Sequence, residues 1–126
     1  MSRETFVVYV VDPDPAIGEG LAALLNTYGI QVRSYPDAES FLEEHASLCS
    51  SCCCLLVEAN LPGLSGPALL QRLRDEDSDS PAILMLSTIY PSQFEQARSA
   101  SRISVMEKPL VNGALIEKLL DLRQSA

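Results

Sequence analysis

Short apolar runs alternate with amphipathic stretches along the whole of this 126-residue chain, and no other feature restricts its fold as strongly. Phe6–Val11 is continuous rather than alternating, as in a strand buried on both faces. Asp14-Pro15 supplies an N-cap followed by Pro at the first helical position. Ile17, Leu21, Leu24, Leu25 and Tyr28 follow at helical spacing, with Gly29 as the stop. Ile30–Tyr35 is a short strand, and Pro36-Asp37 opens a second helix with Ala38, Phe41 and Leu42 inward. Cys52–Val57 is a third strand, and Pro62, Gly63 and Gly66 break the chain after it. A third helix over Pro67–Arg74, a fourth strand over Ala82–Leu86 and a fourth helix over Pro91–Ala100 follow. Ile103–Met106 is a fifth strand, and Leu115, Ile116, Leu119 and Leu120 mark the last helix. Five strand–helix repeats without a Gly/Ser linker predict one domain over 1–126. Its expected architecture is α/β and doubly wound: a five-stranded parallel sheet with five helices on its two faces.

Charge narrows the function classes. Seventeen acidic against nine basic residues give a formal net charge of −8, with no basic stripe. That balance argues against direct contact with nucleic acid, which needs clustered Lys and Arg. The longest apolar runs, Phe6–Val11 and Cys52–Val57, are too short to span a bilayer, and Met1–Thr5 opens no apolar signal region. The expectation is a cytoplasmic protein with no membrane contact. Cys49, Cys52, Cys53 and Cys54 are bunched, whereas a four-cysteine zinc site normally uses two separated pairs. They are read as small apolar thiols at the start of a buried strand, with a redox or metal role as the alternative. The acidic run Asp75–Asp79 is read as a solvated loop.

In open parallel sheets, sites form beyond the carboxyl ends of the strands. The residues there are Asp12–Asp14, Glu58–Asn60, Ser87–Thr88 and Lys108. Two carboxylates and one lysine converging on one mouth suit either a phosphoryl or divalent-cation site, or a charge-balanced cleft without chemistry. A small enzyme or ligand-binding module on the same architecture finds less support. Asp12–Gly18 holds one glycine where a dinucleotide loop wants several, and the single histidine, His45, belongs to the second helix, far from the strand ends.

With Val10-Val11-Asp12-Pro13-Asp14, Asp37–Leu42, Leu61-Pro62-Gly63-Leu64-Ser65-Gly66 and Met106-Glu107-Lys108-Pro109 in this order, the chain resembles the CheY-like receiver domains of bacterial two-component response regulators. It is similar in particular to the receivers of FixJ-type transcription regulators. Lys108 lies 50 residues after Glu58 and Leu86 lies 28 after it, matching the family's spacing. The resemblance implies a flavodoxin-like strand order 2-1-3-4-5 and a signalling function rather than an enzymatic one. It also implies a phosphorelay in which an Asp takes a phosphoryl group from a sensor histidine kinase. In that scheme an acidic pair and a backbone carbonyl hold Mg²⁺, a Lys binds phosphoryl oxygens, and a Ser/Thr and an aromatic residue switch state.

Carried over residue by residue, the phosphoacceptor position is Glu58, and the acidic pair is reduced to Asp12 followed by Pro13. The Ser/Thr position falls on Leu86, with Ser87 next to it, and the aromatic position on Val105. Asn60, for the metal-binding carbonyl, and Lys108 are kept. Glu reaches about 1.5 Å further than Asp, which misaligns in-line attack while placing negative charge beside Lys108. Losing a carboxylate at Pro13 weakens Mg²⁺ binding; Asp14 is a candidate substitute, although capping the first helix competes for it. No cofactor is therefore expected, beyond a weakened Mg²⁺ site at Asp12 and Asn60. The chain reads as an atypical receiver acting through protein–protein interaction. Either Glu58 imitates phosphorylation or the pocket is vestigial, and the smaller charge of a carboxylate favours the second. The alternative is a phosphorylation-competent receiver of a DNA-binding regulator with a rearranged acidic pocket. Expected partners are a histidine kinase or an effector domain, and a second copy through the fourth helix, fifth strand and fifth helix.

Overall fold

The apolar runs assemble as strands β1 (Val7–Val11), β2 (Gln31–Tyr35), β3 (Cys53–Glu58), β4 (Ala82–Leu86) and β5 (Ile103–Glu107). All pair in parallel, in the order β2-β1-β3-β4-β5. The computed structural model describes residues 6–44, 53–75, 80–86, 103–108 and 113–125. Four helices lie within them: α1 (Pro15–Asn26), α2 (Ala38–Glu44), α3 (Gly66–Asp75) and α4 (Gly113–Ser125). This corrects the expected count of five helices. The stretch 91–100, expected as a helix from its spacing, lies outside the described residues, as do Cys49, Cys52, His45, Ser87 and residues 76–79.

Position in the sheet explains the burial of each strand. β3 and β4 are inside and buried at every position, whereas the edge strands β2 and β5 are mostly exposed or half-buried. Because successive side chains point to opposite faces, the sheet feeds two cores. On one face Val11, Leu55, Val57 and Leu84 pack with Phe41 of α2 and with Leu69, Leu70 and Leu73 of α3. On the other, Val8, Val10, Leu56 and Ile83 pack with Leu21 and Leu25 of α1 and with Leu115 and Leu119 of α4. Cys53 and Cys54 are buried thiols; Cys53 lies 3.6 Å from the Ser80 hydroxyl, and Cys54 joins the α1 and α4 core.

Caps fix where the helices begin. The Asp14 carboxylate accepts from the Ala16 N–H at 3.0 Å, with Pro15 at the helix start. The Asp37 carboxylate accepts from the Ser40 N–H at 2.7 Å, and these bonds to Ser40 pull its pKa below the usual carboxylate value. Two residues in the apolar register of α1 are not inward: Leu24 is 43% and Tyr28 41% exposed. Leu24 sits one helical step from the buried Leu25, a rotation of about 100° that carries it to the flank, and Tyr28 lies beyond the helix end. Arg123 of α4 donates to the Tyr28 carbonyl, tying the last helix to the end of α1.

The turn after β3 determines how the site is walled. Gly66 begins α3 hard against the strand it follows: a Cβ there would lie 2.4 Å from the Glu58 carbonyl oxygen and 2.9 Å from Ala59 Cα. Backbone cannot move aside as a flexible side chain can. Gly66→Ala is expected to cost about 1–3 kcal/mol of stability, read as a lowered midpoint in urea unfolding. An unchanged midpoint would mean that α3 does not depend on this close approach.

Candidate functional site

Three strand ends deliver three charged side chains to one point. Asp12 follows β1, Glu58 closes β3, and Lys108 follows β5. The Lys108 ammonium lies 2.7 Å from Asp12 Oδ2 and 2.5 Å from Glu58 Oε1. The side chains of Asp12 and Glu58 keep only 2% and 6% of their exposure, and that of Lys108 keeps 18%. The backbone sets this geometry. The Asp12 N–H donates to the Tyr35 carbonyl at 3.0 Å, and the Lys108 N–H to the Leu86 carbonyl at 2.8 Å, holding each residue at the end of its neighbouring strand.

The remaining carboxylate oxygens are also engaged. Asp12 Oδ1 accepts from the Asp14 N–H, and Glu58 Oε2 from the Asn60 N–H, each at 2.8 Å. All four oxygens of the pair therefore have a partner. Burial alone would push the Lys108 pKa down, because it penalises the charged form. Hydrogen bonds and charge from Asp12 and Glu58 outweigh that penalty, so its pKa stands above the ordinary 10.5.

The other residues expected at the site are placed differently. Asp14 is exposed and spends its carboxylate on capping α1. Asn60 is exposed and meets Glu58 through its backbone N–H. Leu86 is fully buried in the α2 and α3 core and contributes its carbonyl, while Val105 is half-buried and packs against the same core. Sequence spacing gave no signal for the Leu86 and Tyr35 carbonyls, because backbone acceptors have no residue signature.

These residues make a poor Mg²⁺ site. A hard cation wants several free oxygens, and here an ammonium occupies the space between the two carboxylates while the Pro13 side chain offers no oxygen. Among the described residues no group of three or more His, Cys, Asp or Glu could hold a metal ion. Nor is any described helix long and apolar enough to cross a membrane.

Residues 8–120 match the response regulator receiver domain family. The chain belongs to that family. Its members are signalling modules rather than enzymes. The transcriptional regulatory protein FixJ of Bradyrhizobium diazoefficiens is 30% identical over 108 residues, covering 86% of this chain and 52% of that protein. The response regulator StyR has a solved structure that superposes with a TM-score of 0.84 at 28% identity, over 95% of this chain and 60% of that one. The structure of FixJ-N, at 23% identity, shares the fold over 98% of both chains with a TM-score of 0.82. The chain spans about half the length of the curated relatives it matches.

Removing Lys108 leaves two buried carboxylates facing one another without a counter-charge. Lys108→Met, which keeps the aliphatic stem, is expected to cost about 2–4 kcal/mol at pH 7, toward the lower side for a buried pair because Lys108 is partly exposed. The pH dependence has a defined sign. A lysine whose folded pKa is raised stabilises fully below its unfolded value of 10.5, and the contribution fades as pH rises through the folded value. Urea midpoints of wild type and Lys108→Met should differ by a constant amount from pH 7 to 10 and converge above pH 10.5. A gap that stays constant above that pH would contradict the ion-pair account.

Proposed function

We propose that this chain is an atypical receiver that works by binding protein partners and does not use ordinary aspartyl phosphorylation. The observation that carries the reading is the Lys108 ammonium held between Glu58 and Asp12, with every carboxylate oxygen of the pair engaged. In this reading Glu58 stands at the acceptor position, one methylene too long for in-line attack. Pro13 removes a metal ligand, and Leu86 and Val105 offer no hydroxyl or ring to follow a phosphoryl group. Asp14, the candidate replacement in a rearranged acidic pocket, has its carboxylate directed at Ala16, which weighs against the phosphorylation-competent alternative.

A second reading draws on the 2.5 Å contact between Glu58 Oε1 and Lys108. Glu58 there partly imitates a phosphorylated acceptor, holding the domain in one binding state. In both readings the partners are proteins: a histidine kinase, an effector domain, or a second copy meeting the face of β5 and α4. That face would extend onto residues 94–100, which lie outside those described. A FixJ-type assignment, with a regulatory domain elsewhere in a longer protein, follows the similarity to transcriptional regulatory proteins about twice this length.

The test is an NMR titration of labelled protein with Mg²⁺ and then beryllofluoride, which imitates an aspartyl-phosphate. At millimolar Mg²⁺ the amides of Asp12, Glu58, Asn60 and Lys108 should show no saturable change. Saturable shifts spreading to Val105 and α4 would overturn the reading.

A further inference from the structure

We infer that Glu39 is a positioning residue that couples the Asp12–Lys108–Glu58 cluster to helix α2. The inference goes beyond the proposed function, since it holds whether or not the pocket takes a phosphoryl group. Glu39 lies in the first turn of α2, and its Oε2 accepts from the Leu64 N–H at 3.0 Å, across 25 residues of sequence. A charged acceptor makes such a bond stronger than a neutral one. The loop is shaped to receive it. Gly63 has φ +73°, and a Cβ there would lie 2.8 Å from Glu39 Oε2, so a glycine leaves the space that the carboxylate uses.

The same loop begins at the cluster. Glu58 Oε2 holds the Asn60 N–H, the Ala59 N–H donates to the Met85 carbonyl, and the Gly66 N–H returns to the Ala59 carbonyl. With both ends of the loop held beside Glu58, a shift of that carboxylate moves Asn60 and the turn at Gly63-Leu64, which Glu39 grips. From Glu39 the path continues along α2. Phe41 is seated edge-on against Tyr9 and Tyr35, with ring centroids 5.7 and 5.4 Å away. Tyr35 in turn accepts the Asp12 N–H through its carbonyl, closing a circuit that starts and ends at the ion-paired cluster. The Leu86 and Val105 side chains pack into the α2 and α3 core, whereas the β3–α3 loop hydrogen-bonds both to Glu58 and to Glu39 of α2.

A shift-based mutant cycle tests this. Glu58→Gln perturbs the cluster with an isosteric neutral group, and its amide shift changes are measured in wild-type, Glu39→Ala and Glu39→Gln backgrounds. Changes at Leu42 and Glu43 should be present in the wild-type background and lost with Glu39→Ala; Glu44 is no reporter, since the Tyr35 hydroxyl reaches it by a route that bypasses Glu39. Glu39→Gln, which keeps an acceptor oxygen, should retain them. Changes at Asp12 and Lys108 should be equal in all three, showing an intact pocket. Should Glu58→Gln fail to fold, Glu58→Asp supplies the perturbation, drawing the carboxylate back with its charge kept. Changes at Leu42 and Glu43 that persist in Glu39→Ala, or that never appear while the pocket amides move, would overturn the inference. Neither outcome bears on Mg²⁺ or beryllofluoride binding, so it fails separately from the proposed function.

Discussion

One ammonium between two buried carboxylates sets the terms for the carboxyl-terminal edge of this sheet. Burying Asp12 and Glu58 side by side without a counter-charge would cost several kcal/mol, and Lys108 offsets that cost by reaching both. To do so it must leave β5 at a fixed point, which the Leu86 carbonyl ensures by accepting its N–H. Strand order matters equally: β1 and β3 are neighbours, so the two carboxylates arise side by side, while β5 arrives from across β4. The site is a consequence of parallel topology, since only parallel strands bring all their carboxyl ends to one edge.

The proposed function rests on the same cluster. Here the lysine is engaged by the acids, and their other oxygens are tied to the backbone of the following turns, at Asp14 and Asn60. These bonds make the cluster part of the loop structure. The turn after β3 can then act as a lever, and Gly66 and Gly63 give it the close contacts that a lever needs.

Much of the fold was legible because it rests on patterns that survive tertiary context. Continuous apolar runs marked β1, β3 and β4, and Asp14-Pro15 and Asp37 marked two helix starts that the caps bear out. Helical periodicity misled at Leu24 and Tyr28, where the apolar stripe ran past the width of face that α1 buries. The helix expected over 91–100 was read from spacing alone and lies outside the described residues, which hold four helices. Asp12, Glu58 and Lys108 were found by their place at strand ends. The engagement of every carboxylate oxygen was not, since it depends on backbone donors at Asp14 and Asn60. Glu39 left no trace either, because its partner is a main-chain amide 25 residues away.

The most direct test of the central claim is the titration of the Lys108 side chain itself, followed by NMR at its Cε and Nζ. The ion-paired cluster predicts a midpoint above the ordinary lysine value of 10.5, and that elevation should disappear when Glu58 is replaced by Gln together with Asp12 by Asn. A midpoint at or below the ordinary value would mean that burial outweighs the carboxylates, and that Lys108 is not held between them.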